Sequence, residues 1–226
     1  MKRELPPAAS EILGYLKDLG FEDLYLQSVE EARPGTDAPA RGQLEDVADE
    51  AASCTRCRLS EGRNSVVFGS GSASADLIFI GEGPGAEEDR QGLPFVGRAG
   101  ELLTRIIKAI DLKREEVYIA NIVKCRPPSN RDPRPDEVAA CREYLEQQID
   151  LIEPRVIVLL GKVAAQTLLG NDLPLGRMRG QWYRVRGVET RVTYHPAALL
   201  RNTGFKRPTW EDMQIVRDRL AESELD

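Results

Sequence analysis

The sequence predicts an α/β fold: a three-layer α/β/α sandwich around a central, mainly parallel four-stranded sheet. Three observations carry this expectation. Four short apolar runs are near-continuous, the pattern of strands covered on both faces. Segments of helical periodicity separate them. At 226 residues and 25.1 kDa, with 41% hydrophobic and 30% charged residues, the chain is long enough for one such domain with a sizeable core. The same composition excludes a collagen-like or wholly disordered chain.

Taken in order, residues 10–31 space Ile12, Leu13, Leu16, Leu19, Leu24 and Leu26 as on a helix, interrupted by Gly20. Residues 33–42 are rich in breakers and nearly free of large apolar groups, so they read as a linker. Residues 1–42 are expected to be an acidic accessory arm, either a solvated appendage or a partner-docking segment, and residues 43–226 the α/β domain. The four strands are expected at Asp76–Ile80, Val117–Val123, Arg155–Leu160 and Thr190–Tyr194. Helical patterns lie between them at about 98–110, 135–152 and 162–169, with another near 209–222.

The net charge of −6 conceals a division along the chain. Residues 1–53 carry −7 and residues 211–226 carry −4, leaving +5 on residues 54–210. A mildly basic body between acidic ends permits phosphate binding without demonstrating it. No apolar run approaches the roughly 20 residues that span a bilayer, and the start lacks the apolar stretch of a signal peptide. A soluble intracellular protein is the expectation. In a reducing compartment its four cysteines suggest a metal site before a disulfide framework.

In open α/β sheets ligands bind beyond the carboxyl ends of the strands, so the residues there are the ones to inspect. After the first strand comes Gly81-Glu-Gly-Pro-Gly-Ala-Glu-Glu-Asp89. Gly81, Gly83 and Ala86 fit a dinucleotide fingerprint, but Glu82, Glu87, Glu88 and Asp89 would repel a pyrophosphate and Pro84 lacks an N–H donor. The loop instead suits a tight turn holding Glu82 in a cleft, or an acidic helix N-terminus. Toward the end of the second strand, Asn121 is either a satisfied structural amide or a reader of a flat polar ligand's edge. His195, the single histidine, follows the fourth strand at the same sheet edge as Glu82, which favours a role in chemistry over a structural one. The cysteines fall as Cys54-x-x-Cys57, Cys125 and Cys141, a set able to close a four-thiolate site. Spacing alone leaves zinc and an iron–sulfur cluster both open.

Together these motifs resemble the family 4, iron–sulfur uracil-DNA glycosylases over roughly residues 45–220. The resemblance rests on Cys54/Cys57, Gly81-Glu-Gly-Pro-Gly85 with its acidic run, Gly92-Leu-Pro-Phe-Val-Gly97, Asn121 in Asn-Ile-Val-Lys-Cys, Cys141, and His195-Pro-Ala-Ala-Leu-Leu-Arg. It implies a glycosylase that excises uracil from DNA, with a structural [4Fe–4S] cluster held by Cys54, Cys57, Cys125 and Cys141. It assigns Glu82 and His195 to catalysis, and Gly83, Glu88, Phe95 and Asn121 to the base. Arg126, Arg131 and Arg201 are expected at the DNA phosphates, and Leu199 or Leu200, unless they cap the core, as wedges in the vacated stack. A monomer in a prokaryotic cytoplasm, working at the nucleoid and not at a membrane, completes the expectation. A related group that traps its product covalently needs a further histidine, absent here, so turnover should be normal. The alternatives are a non-catalytic zinc- or iron–sulfur-stabilised DNA-binding module and a nucleotide-binding protein using the Gly81–Ala86 loop.

Overall fold

A computed structural model of the chain describes residues 37–222; the helical pattern at 10–31 lies outside the described residues. Helix α1 (Asp37–Ala52) opens the fold. It begins inside the segment read as linker, because a proline in a helix's first turn removes an N–H that has no intrahelical partner anyway. After a 3-10 turn at Arg58–Glu61 come β1 (Ser70–Gly71), β2 (Leu77–Gly81), α2 (Ala86–Gln91), α3 (Arg98–Ala109) and β3 (Tyr118–Asn121). Then follow α4 (Pro135–Ile152), β4 (Val156–Leu160), α5 (Lys162–Leu169) and α6 (Leu175–Met178). The chain continues through β5 (Trp182–Val185), β6 (Val188–Thr193), α7 (Pro196–Arg201) and α8 (Lys206–Glu222).

The sheet has six strands, not four, in the order β1-β3-β2-β4-β6-β5. The inner four are parallel and are the four that the apolar runs predict. The two additions are antiparallel edges. β1 is two residues long with no apolar side chain, and so leaves no periodic signal. β5 joins β6 through Arg186-Gly187, both at positive φ (51° and 84°), the backbone of a tight hairpin turn. Arg-Gly is a weaker turn signal than Asn-Gly, which hides this hairpin in the sequence.

Successive side chains along each strand enter opposite layers. Ile78, Ile80, Ala120, Ile157, Leu159 and Val192 pack with Tyr144, Leu145 and Ile149 of α4 and with Ala164 and Ala165 of α5. Leu77, Phe79, Ile119, Val156 and Val158 pack on the other face with Leu103 and Ile107 of α3 and Met213 and Val216 of α8. Connections leave β2 toward β3 on one side and return to β4 on the other. The strand order therefore reverses at β2, opening a crevice at the carboxyl ends.

A buried ionic cluster ties α8 to the end of β6. Asp212 accepts from Thr193 Oγ1 at 2.7 Å and from Arg179 Nε at 2.8 Å, and Arg191 Nη2 lies 3.6 Å from its other oxygen. Thr193 ends the strand from which His195 emerges. Removing Asp212 would leave the buried Arg191 guanidinium without its counter-charge. We expect Asp212→Ala to cost about 3–5 kcal/mol in urea unfolding; a loss below about 1 kcal/mol would contradict this reading.

Candidate active site

Four strand ends meet around a cleft of about 660 Å³ lined by Glu82, Phe95, Asn121, Gly161, Asp132 and His195, among others. Gly81 and Asn121 are direct neighbours in the β2–β3 pairing. A Cβ on Gly81 would stand 2.5 Å from Asn121 Oδ1 and 2.7 Å from the Phe95 ring. The glycine thus allows the amide and the ring to lie against the backbone together. Past the strand ends the ladder continues, with Ile122 N–H donating to Gly81 O and Val123 N–H to Glu82 O, which fixes where Glu82 begins. Gly83 also lines the cleft, close against Val123 and Pro127.

Asn121 is 1% exposed, and its Oδ1 has no hydrogen-bond partner among the described residues. A buried unpaired acceptor costs about 1–3 kcal/mol. A structural amide would be expected to have a partner for this oxygen, and none is present among the described residues.

Phe95 is held under constraint beside it. Its φ is +51°, a region that bulky residues rarely adopt. Arg114 Nη2 donates to Pro94 O at 2.5 Å on one side, and Glu88 Oε1 accepts from the N–H groups of Val96 and Gly97 on the other. Glu88 Oε2 takes the Gly85 N–H as well. Glu88 therefore lines the cleft with a carboxylate engaged by three backbone donors, and its visible work is to clamp the loop carrying Phe95. Gly100 lets the first turn of α3 close on the Phe95 carbonyl, which a Cβ there would strike. The Phe95 ring sits 5.5 Å from the His195 ring, tilted by 32°.

His195 caps α7, with Pro196 at the first helical position. The Ala197 N–H donates to its Nδ1 at 3.1 Å. That nitrogen must be unprotonated, so the neutral ring carries its proton on Nε2. Burial pushes the imidazole down to about 4, helped by the Arg201 charge and opposed by Glu88. Gly161, at φ +94°, lets the β4–α5 turn approach the His195 Cβ, where any side chain would meet it at 2.9 Å. Glu82 moves the other way: burial raises it to about 7, and the Asp132 carboxylate adds to the rise. Burial is the leading cause of both shifts, because it disfavours whichever form is charged.

The remaining predicted residues divide. Leu200 is 40% exposed, but Leu199 is 2% exposed and belongs to the core; the two sit on helix α7, where neighbouring residues point about 100° apart. Arg201 lines the cleft and is exposed. Arg131 lines it too, but its guanidinium is held in two bonds, at 2.6 and 2.8 Å, by the buried Glu137 carboxylate. Arg126 is bonded through Nε to Asn130 Oδ1. Sequence reasoning passes over Asp132, Tyr194 and Phe205, the last two stacked at 4.2 Å. Gly161 and Lys162 were findable, since they follow the carboxyl end of β4 as Glu82 follows that of β2.

All four cysteines line one small cavity, with Arg63, Lys124 and Tyr144. As free thiols, Cys125 is pushed up to about 11 and Cys141 upward, both chiefly by burial. Donors already face the sulfurs: Arg63 Nη1 reaches Cys125 Sγ and the Lys124 N–H reaches Cys141 Sγ, each at 3.3 Å. Such donors stabilise thiolate, the form that ligates metal. Among the described residues no group of three or more His, Cys, Asp or Glu is arranged to hold a single metal ion.

Carboxyl-carbon NMR should show Glu82 titrating near 7, and Asp132→Asn should lower that midpoint by removing a like charge. A Glu82 midpoint at the ordinary value of about 4.3 would contradict its burial beside Asp132.

The family model for the uracil DNA glycosylase superfamily matches residues 68–214, which span the cleft from β2 to α8. Type-4 uracil-DNA glycosylases are close relatives in sequence. That of Thermotoga maritima is 44% identical over 180 residues, covering 77% of this chain and 93% of the relative. That of Archaeoglobus fulgidus is 46% identical over 165 residues, covering 70% and 83%. The Saccharolobus solfataricus protein is 43% identical over 187 residues, covering 79% and 87%. With a family model across most of the chain and relatives matched over most of their own length, the chain belongs to the uracil-DNA glycosylase superfamily, in its type-4 family.

Proposed function

We propose that this chain flips uracil out of DNA and hydrolyses its N-glycosidic bond, releasing free uracil and leaving an abasic site. The observation that carries the reading is the buried, unpartnered Asn121 Oδ1 beside the Phe95 ring. Uracil N3–H supplies the missing donor, and the amide nitrogen of Asn121 meets O4. Cytosine presents the reverse pattern and would leave both sides unpaired, which is a stronger basis for selection than shape.

Extrusion costs a few kcal/mol of stacking and pairing. Leu200 enters the vacated space, and Arg201, with Lys206 and Arg207 just beyond it, meets the phosphates. Bond cleavage leaves negative charge on the base and positive character on the sugar. His195, neutral, donates from Nε2 to uracil O2; ionised Glu82 stabilises the sugar and orients the water that attacks C1′. Glu88 acts on the base through the loop that it clamps.

Four thiols around one cavity, two of them facing N–H donors, fit a [4Fe–4S] cluster, which Cys54, Cys57, Cys125 and Cys141 would hold as thiolates. The cluster supplies structural cross-linking when bound, joining the segment before β1 to the β3 end and α4. Working as a monomer in the cytoplasm, at the nucleoid of a prokaryotic cell, fits this activity. Among the described residues no helix is long and apolar enough to cross a membrane.

The direct test is a single-uracil oligonucleotide, with alkali to cleave abasic sites and chromatography for free uracil. Uracil release with no release from a thymine control is expected; no release by iron-loaded protein would overturn the reading.

The single-turnover rate should climb about tenfold per pH unit up to about 7 and then level, because Glu82 acts as the carboxylate. His195, neutral above about 4, adds no limb in that range. Glu82→Gln should flatten the profile; a slope that survives it belongs to another group.

His195→Ala should lower the chemical rate by about 10²–10³-fold with DNA affinity within about twofold. A rate within fivefold of the unmutated chain would remove His195 from the reaction.

A further inference from the structure

Lys124 is 1% exposed and sits between the two sites described above. Its Nζ donates to the Asn121 carbonyl at 3.0 Å and to Gln148 Oε1, and lies 5.7 Å from the Phe68 ring centre. Its own N–H donates to Cys141 Sγ. No carboxylate lies within ion-pair reach of it among the described residues. Gln148 is in turn fixed by donating to Phe68 O and Tyr118 Oη at 2.9 and 3.0 Å. Enclosing an amine among neutral acceptors is costly, so the contacts it does make are the ones that hold it.

We propose that Lys124 is a positioning residue linking the thiolate site to the uracil pocket. The Nζ contacts hold the 121–125 segment in place, which keeps the Lys124 N–H on the Cys141 sulfur and Cys125 at its cavity. The same contacts hold the Asn121 peptide at the end of β3, and so set the direction of its Oδ1. Sequence adjacency makes the link short, since Asn121, Lys124 and Cys125 lie within five residues. The inference rests on the uracil-excising reading of the cleft.

The test uses iron-loaded Lys124→Met and Lys124→Gln, which remove the ammonium at similar length or with a polar head. Iron per chain and melting temperature establish that a variant is loaded and folded. Free uracil as a competitive inhibitor then reads the pocket without chemistry, and iron release to a chelator reads the thiolate site. A loaded variant should lose inhibition by free uracil tenfold or more and release iron at least fivefold faster. Affinity for a uracil-free duplex should stay within twofold. Failure of either change in a loaded variant overturns the proposal. If the unmutated chain releases no uracil, the functional reading fails first and separately; if it is active and the variants keep uracil inhibition, Lys124 alone is misassigned.

Discussion

One buried oxygen without a partner, Oδ1 of Asn121, is the constraint around which the cleft is arranged. Parallel pairing places the amide opposite Gly81, and the missing side chain there leaves room for Phe95 as well. Phe95 keeps its strained backbone because Arg114 and Glu88 hold the peptide groups on either side. An unsatisfied acceptor and a left-handed phenylalanine each cost about 1–3 kcal/mol. Strain and orphaned polar groups placed together at the carboxyl ends of a parallel sheet mark a site built for a ligand.

Charge in the cleft follows the same logic. Burial raises Glu82 and lowers His195, so neither group is strongly charged before DNA arrives. The histidine needs no charge to serve as a donor, since the Ala197 N–H already fixes its tautomer. In the proposed reaction Glu82 acts as the carboxylate, which makes it the group that sets the pH response. Behind the cleft, the Asp212 cluster steadies the end of β6 and the cysteine-lined cavity lies beside the end of β3. The two strand ends at the cleft are thus braced from opposite sides of the sheet.

Much of this was legible in the sequence. Inner strands buried on both faces leave continuous apolar runs, and β2, β3, β4 and β6 were found by them. Glu82, Asn121 and His195 stood out as polar residues directly after such runs. Edge strands β1 and β5 escaped because neither buries enough to impose a pattern. Long-range bonds were beyond reach for a different reason. Nothing local reveals that Glu88 is taken up by Val96 and Gly97, that Arg131 is claimed by Glu137, or that Lys124 spans Asn121 and Gln148. Leu199 and Leu200 look equivalent in sequence, and helical geometry sends one inward and leaves the other exposed.

The central claim is that Asn121 is retained for uracil at the expense of the fold, and Asn121→Leu tests it most directly. Leucine matches the amide in size and removes the unpaired acceptor. Unfolding in urea and single-turnover uracil release should be measured on the same iron-loaded preparation. The account predicts a protein as stable as the unmutated chain or more so, by up to about 1 kcal/mol, with uracil release reduced by about 10²-fold or more. A variant destabilised by about 2 kcal/mol, with activity falling only in step with the folded fraction, would show that Asn121 serves the fold and contradict the account.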